Sequence, residues 1–134
     1  MKKPRYVLDS YALLGYLRNE PVAERVEALL GDAAQGHTEL YMSTINLGEI
    51  SYIVERRRGA VACQEALERL EVFPIQLQDA TLERVLAAAR LKARYAISYA
   101  DAFAVALAQE LGAPVVTGDR EFEQVESLVD VLWL

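Results

Sequence analysis

The chain of 134 residues contains one cysteine, Cys63, and one histidine, His37. A single thiol excludes an internal disulfide, and together with a single imidazole it removes every Cys/His zinc arrangement and leaves no basis for a Ser-His-Asp triad. Chemistry, if there is any, falls to carboxylates. Glycine (7) and proline (4) are few, and no linker or low-complexity stretch separates one region from another. Long hydrophobic runs are also missing. Lys, Arg, Asp, Glu or Gln interrupts every apolar region short of the roughly 18 residues that a membrane span requires, so no membrane association is expected. The start, Met1-Lys2-Lys3-Pro4-Arg5, is basic but leads into a four-residue run and an Asp rather than a signal-peptide core, which points to the cytoplasm. Positive charge is short as well. Lys and Arg number 14 against 20 Asp and Glu, a formal net charge of −6, the wrong sign for holding nucleic acid by bulk attraction.

What is present is a hydrophobic content of 53% with 25% charged residues, which excludes disorder as the main description. The length suits one domain, 1–134, around one core. Short apolar runs alternate with amphipathic stretches, the pattern of an α/β fold: a central, mostly parallel sheet of four to five short strands between helices, α/β/α in three layers. Tyr6-Val7-Leu8 reads as a buried strand, with Asp9-Ser10 capping a helix through Leu17. A second helix follows Pro21 and ends before Gly36. Leu40-Tyr41-Met42 reads as a strand, and Ser43 or Thr44 caps a helix that ends in Arg56-Arg57-Arg58-Gly59. Residues 60–71 are helical, and Val72-Phe73-Pro74-Ile75 reads as an edge strand. From Asp79, Leu82, Val85, Leu86, Ala89 and Ala93 share one helix face. Ser98 opens a helix to Gly112, Pro114-Val115-Val116 is a strand closed by Thr117-Gly118-Asp119, and 129–134 supply the last strand.

In an open parallel sheet the strands' carboxyl ends share one edge, and the loops there form the ligand crevice. Asp9 and Asp119 follow strands and emerge on that edge. The helix from Ser98 hands directly to the strand at Pro114, so its first turn, carrying Asp101, lies on the same edge. Glu49 sits about a turn and a half into the helix that leaves Met42, roughly 8 Å below the edge, within reach of a long side chain. Four carboxylates from four segments thus converge. Two unit charges about 5 Å apart repel by roughly 3 kcal/mol at an effective dielectric near 20, and hard divalent cations such as Mg²⁺ or Mn²⁺ offset that. Two such ions at a phosphodiester can activate a water and stabilise the leaving oxygen.

Each acid also has a local explanation. Asp9 and Asp119 suit N-caps, and Asp101 suits the fourth position of a Ser-x-x-Asp capping box opened by Ser98. Glu49 lies beyond any cap, where a salt bridge to Arg18 or Arg120 is the alternative. Arg56, Arg57 and Arg58 suit a solvated helix C-terminus, with RNA phosphate contact as the minority reading. Six tyrosines (Tyr11, Tyr16, Tyr41, Tyr52, Tyr95, Tyr99) suit core or subunit contacts better than base stacking.

Taken together, Val7-Leu8-Asp9-Ser10-Tyr11-Ala12-Leu13-Leu14, Asn46-Leu47-Gly48-Glu49-Ile50, Tyr99-Ala100-Asp101-Ala102-Phe103-Ala104 and Val116-Thr117-Gly118-Asp119-Arg120-Glu121-Phe122 resemble the PIN domain across essentially the whole chain. The length most resembles that of VapC-type toxins of prokaryotic toxin–antitoxin pairs. The resemblance implies an endoribonuclease dependent on one or two Mg²⁺ or Mn²⁺ ions, leaving a 5′-phosphate and a 3′-hydroxyl. It also implies a homodimer neutralised by a small cognate antitoxin, VapB-like. Asp9, Glu49, Asp101 and Asp119 fall on the family's four acidic, metal-binding positions, and Ser10 and Thr117 match polar positions that order such a site. Two divalent ions would bring the formal charge from −6 to −2. Two other readings stay open: a noncatalytic module whose acidic pocket binds a partner's Arg side chains, and a phosphoacceptor domain, which the absence of an Asp-x-Asp at Asp9 disfavours.

Overall fold

Parallel strands buried on both faces read as continuous apolar runs, whereas edge strands alternate, and the computed structural model follows that rule. It describes residues 2–134, so Met1 of the basic start lies outside the described residues. Twelve elements follow in order: β1 (Arg5–Leu8), α1 (Ser10–Leu17), α2 (Ala23–Ala34), β2 (Glu39–Ser43), α3 (Thr44–Arg58), α4 (Ala60–Glu71), β3 (Ile75–Gln78), α5 (Leu82–Arg94), α6 (Tyr99–Leu111), β4 (Val115–Thr117), a 3₁₀ turn (Arg120–Val125) and β5 (Val131–Trp133). Among the described residues the five strands form one sheet in the order β3-β2-β1-β4-β5. Every neighbouring pair is parallel, so the sheet is wholly, not mostly, parallel.

Alternation along the central strands divides the core. Leu8 and Val116 point to one side with Leu40 and Met42, where helices α1 to α4 supply Leu13, Val26, Leu30, Ile50 and Leu70. Val7 and Val115 point to the other, against Ala102, Val105 and Leu107 of α6 and Ala88 and Leu91 of α5. The result is three layers with a core above and below the sheet.

Two expectations need correction. The edge strand predicted over 72–75 begins only at Ile75: Val72 caps α4, and the ladder with β2 runs from Ile75 to Gln78, beyond Pro74 and its missing N–H. The face predicted for α5 is also displaced. Ala88 and Leu91 are buried, while Leu82 and Leu86 are exposed and Ala93 faces out with them. The apolar periodicity fits two stripes, and packing against α6 buries the one with Ala88 and Leu91, with Val85 of the predicted face partly buried beside it. The helix read from Asp79 begins at Leu82, capped by Thr81, whose Oγ1 accepts from the Arg84 N–H at 3.3 Å. The 3₁₀ turn after Asp119 had no counterpart in the sequence reading.

Sheet order reverses at β1. The chain moves outward through β2 and β3, then crosses back to lay β4 on the other side of β1, pairing Leu8 with Val116. Ligand crevices form at such a switch point, outside the carboxyl ends of the strands. Asp9 and Asp119 leave the two strands that flank it.

Candidate metal centre

Asp9 follows β1 directly and is fully buried. Its Oδ1 accepts from the Ala12 N–H at 2.9 Å, capping α1. Its Oδ2 is buried and has no hydrogen-bond partner among the described residues. Burial pushes the Asp9 carboxyl up from an ordinary 3.8 to about 7, with the charges of Asp119 and Glu49 adding to it. The Ala12 N–H and the nearby Thr117 hydroxyl ease this only in part. The Thr117 oxygen itself accepts from the Asp119 N–H at 3.0 Å, and it leaves Oδ2 without a well-formed bond.

Asp101 lies in the first turn of α6, where Ser98 Oγ accepts its backbone N–H at 3.1 Å. The helix starts as a capping box would start it, but the carboxyl turns toward Glu121. Burial, then a hydrogen bond with Glu121, then the charges of Asp9, Glu121 and Asp119 raise Asp101 from 3.8 to about 9. Asp119 caps the 3₁₀ turn, its Oδ1 accepting from the Glu121 N–H at 2.9 Å. Oxygens of Asp101, Asp119 and Glu121 lie within 4.8 Å of one another. Glu49 stands on α3, half-buried, in an open groove it shares with Tyr52 and Tyr99.

The local and convergent readings of the acids therefore do not compete. A carboxylate has two oxygens, and Asp9 and Asp119 each spend one on a cap while the side chain stays at the crevice. The salt bridge considered for Glu49 is not formed: among the described residues Arg18 pairs with Glu20 and Arg120 with Glu123. Glu121 was missed by sequence reasoning, although an acid two residues past Asp119 was in view. It enters because the tight 3₁₀ turn folds residue 121 back over the strand end.

Ser10 touches no carboxylate among the described residues; its Oγ donates to the Asn46 carbonyl at 3.2 Å and accepts from Asn46 Nδ2 at 3.1 Å. The same Nδ2 donates to the Ala100 carbonyl at 3.2 Å. Fully buried Asn46 thus ties together the starts of α1, α3 and α6, the helices that follow Asp9 or carry Glu49 and Asp101. It too was missed; the signal was an amide between Ile45 and Leu47, too deep in the helix to cap it. Gly118 supplies close approach on the other flank, since a Cβ there would sit 2.5 Å from Cε1 of Tyr11.

The arginine run divides. Arg56 stacks over the Tyr52 ring, 5.3 Å from its centroid. Arg57 and Arg58 instead line a small cavity of about 80 Å³ with Arg18 and Arg69. They stand eight and nine residues beyond Glu49, at least about 12 Å down the helix axis from the acids.

A wholly parallel α/β sheet with carboxylates gathered at its switch point defines the class: a Rossmann-like α/β protein with an acidic centre suited to hard cations. The PIN domain pattern matches residues 6–128, and the chain belongs to the PIN domain family. It is 29% identical to the ribonuclease VapC30 of Mycobacterium tuberculosis over 90% of this chain and 94% of that protein. Its fold matches that of VapBC2 from Rickettsia felis, solved bound to a promoter DNA fragment (TM-score 0.77, 18% identity, 97% of this chain and 99% of that one). It also matches M. tuberculosis VapC20, a toxin that cleaves the sarcin-ricin loop (TM-score 0.72, 18% identity, 94% and 98%).

Proposed function

We propose that the chain, as one PIN domain, is a VapC-type endoribonuclease toxin dependent on Mg²⁺ or Mn²⁺, acting in the cytoplasm as a homodimer and neutralised by a VapB-like antitoxin. The observation that carries this reading is the fully buried Asp9 Oδ2 without a donor, beside three further carboxylates within 4.8 Å of one another. Two buried acids, Asp9 and Asp101, with half-buried Asp119 and Glu121 beside them fit a divalent cation, whose preferred ligands are carboxylate oxygens. Asp9, Asp101 and Asp119 would hold it, with Glu49 and Glu121 at the rim. When bound, such an ion supplies Lewis acidity at a phosphoryl oxygen and an activated water.

The chain's own residues do the rest. Asp9 is fixed by the Ala12 N–H and needs no reorganisation to present its second oxygen. Asn46 and Ser10 hold three helix starts in register, so acids from distant segments keep their spacing. Burial and the hydrogen bond with Glu121 push the Asp101 carboxyl up to about 9. His37 is exposed in the bend between α2 and β2 and takes no part. Support for RNA as substrate comes from the ribonuclease relative, and for an antitoxin from the VapBC assemblies of the same fold.

The test is cleavage of 5′-labelled RNA by the purified chain with Mg²⁺ or Mn²⁺ and with EDTA. Asp9→Asn and Asp101→Asn are expected to be inactive and folded. Full cleavage by either variant, or cleavage undiminished in EDTA, contradicts the proposal.

A further inference from the structure

The tyrosines separate sharply in the folded chain. Tyr41 is buried, Tyr16 packs edge-on against Phe73 at 6.0 Å, and Tyr6 and Tyr95 are half-buried against the two cores. Tyr11, Tyr52 and Tyr99 are 41%, 49% and 44% exposed; Tyr11 and Tyr99 stand at the starts of α1 and α6, and Tyr52 lies two turns into α3. Exposed aromatic rings are costly to leave in water when a core is available. Tyr52 and Tyr99 share one open groove with Glu49.

We infer that the open groove between the N-terminal half of α3 and the first turn of α6 is a subsite for one unstacked RNA base beside the cleaved phosphodiester, with Tyr52 and Tyr99 as its stacking surfaces. The inference rests on the nuclease reading above and names how the substrate is gripped. The groove is about 500 Å³ and is lined by Glu49, Gly48, Ala100, Tyr52 and Tyr99. Glu49, whose charge is felt at Asp9, links it to the acidic centre. Small residues lie between the rings: nothing stands within 4 Å of a Cβ placed at Gly48, leaving room for a flat heterocycle. Tyr99 is steadied by Phe103, ring centroids 5.1 Å apart, which limits the entropy lost on stacking. Arg56, one turn beyond Tyr52 towards the end of α3, places its guanidinium over that ring, a positive group on the side of the groove away from the acids, where it can meet the phosphate of a neighbouring nucleotide. Such pairing of stacking rings with one cation is how single strands are held without base-edge readout.

Other cavities serve this purpose less well. The arginine-lined cavity of about 80 Å³ is too small for a base. The apolar groove of about 290 Å³ beside Phe73 and Leu77 lies on the α4–β3 side, apart from the acids.

The experiment compares Tyr52→Ala and Tyr99→Ala with Tyr52→Phe and Tyr99→Phe on a single-stranded RNA oligonucleotide. Binding of the same oligonucleotide to Asp101→Asn, with and without each alanine change, is followed by fluorescence anisotropy. Each alanine variant is expected to raise KM, and to weaken anisotropy-detected binding, by roughly 10-fold. Each phenylalanine variant should restore both, and the Mn²⁺-induced rise in Tm should stay as in the parent. Unchanged KM and binding in both alanine variants would overturn the inference while leaving the nuclease reading intact. An altered oligomeric state of the alanine variants by light scattering would overturn it too, assigning the rings to an interface between copies. RNA bound through the tyrosines by a chain that never cleaves it would support the groove and sink the nuclease reading instead.

Discussion

Helix α6 carries one carboxyl group near each end, and the two behave oppositely. Asp101, in the first turn, is driven up to about 9. Glu110, in the last turn, is held below its ordinary value by Arg84, whose Nε and Nη2 donate to its two oxygens at 3.0 and 2.9 Å. The helix dipole predicts the reverse order, because it favours negative charge at the N-terminus and disfavours it at the C-terminus. That contribution is typically about 0.3–1 kcal/mol and about 2 kcal/mol in partly buried geometries, less than a hundredfold in proton affinity. Burial among like charges outweighs it at Asp101, and a two-point guanidinium contact outweighs it at Glu110. On the proposed reading the first end is completed by a cation from outside, whereas the second already holds its own in Arg84.

The largest effect that would sharpen this contrast is loss of activity. Asp101→Asn is expected to lower cleavage by at least about a thousandfold, whereas Glu110→Gln leaves it within about twofold, measured as initial rates on labelled RNA. Stability should separate the two ends by pH. A carboxyl whose folded pKa is raised contributes stability that is complete below its unfolded value near 4 and is lost as pH rises through the folded value. The Tm of the metal-free protein should therefore fall between about pH 5 and pH 9, as Asp9 (about 7) and Asp101 (about 9) ionise. Asp101→Asn should flatten the upper part of that fall. Saturating Mg²⁺ or Mn²⁺ should raise Tm at pH 8 in the parent and much less in Asp101→Asn, by differential scanning fluorimetry. A metal-free Tm that climbs across this range would break the comparison.

Smaller effects probe what holds the acids in place. Asn46→Ala removes bonds from Asn46 Nδ2 to Ser10 and Ala100, and should cost about 1–3 kcal/mol in urea unfolding. It should also reduce cleavage more than its destabilisation explains. Gly118→Ala should cost about 1 kcal/mol, because the exposed Tyr11 ring can swing aside, and Tyr11→Ala should relieve most of it. Arg57→Ala is expected to shift stability by under about 0.5 kcal/mol and leave cleavage near the parent rate.

Much of the frame was legible because it rests on local rules. Ser43, Ser98 and Gly112 cap where their residue types say they should, and the positive φ of 62° at Gly112 ends α6. Helix α4 spans the predicted 60–71. The errors fell where two local patterns were nearly equivalent. Leu82, Leu86 and Ala93 form as regular a stripe on α5 as the buried one, and periodicity alone cannot say which stripe meets a neighbour. Glu121 and Asn46 were read as ordinary residues for the same reason: their roles depend on what lies across a turn or between helices.

The order of short apolar runs, caps and amphipathic segments dictated an α/β chain whose strands end in acids, since those choices are made within a few residues of backbone. Tertiary structure alone decided which oxygens lie together, which of them lack a donor, and which tyrosines stay in water. Desolvation and charge repulsion act through space, between Asp9, Asp101 and Asp119 at separations in sequence that no local pattern encodes.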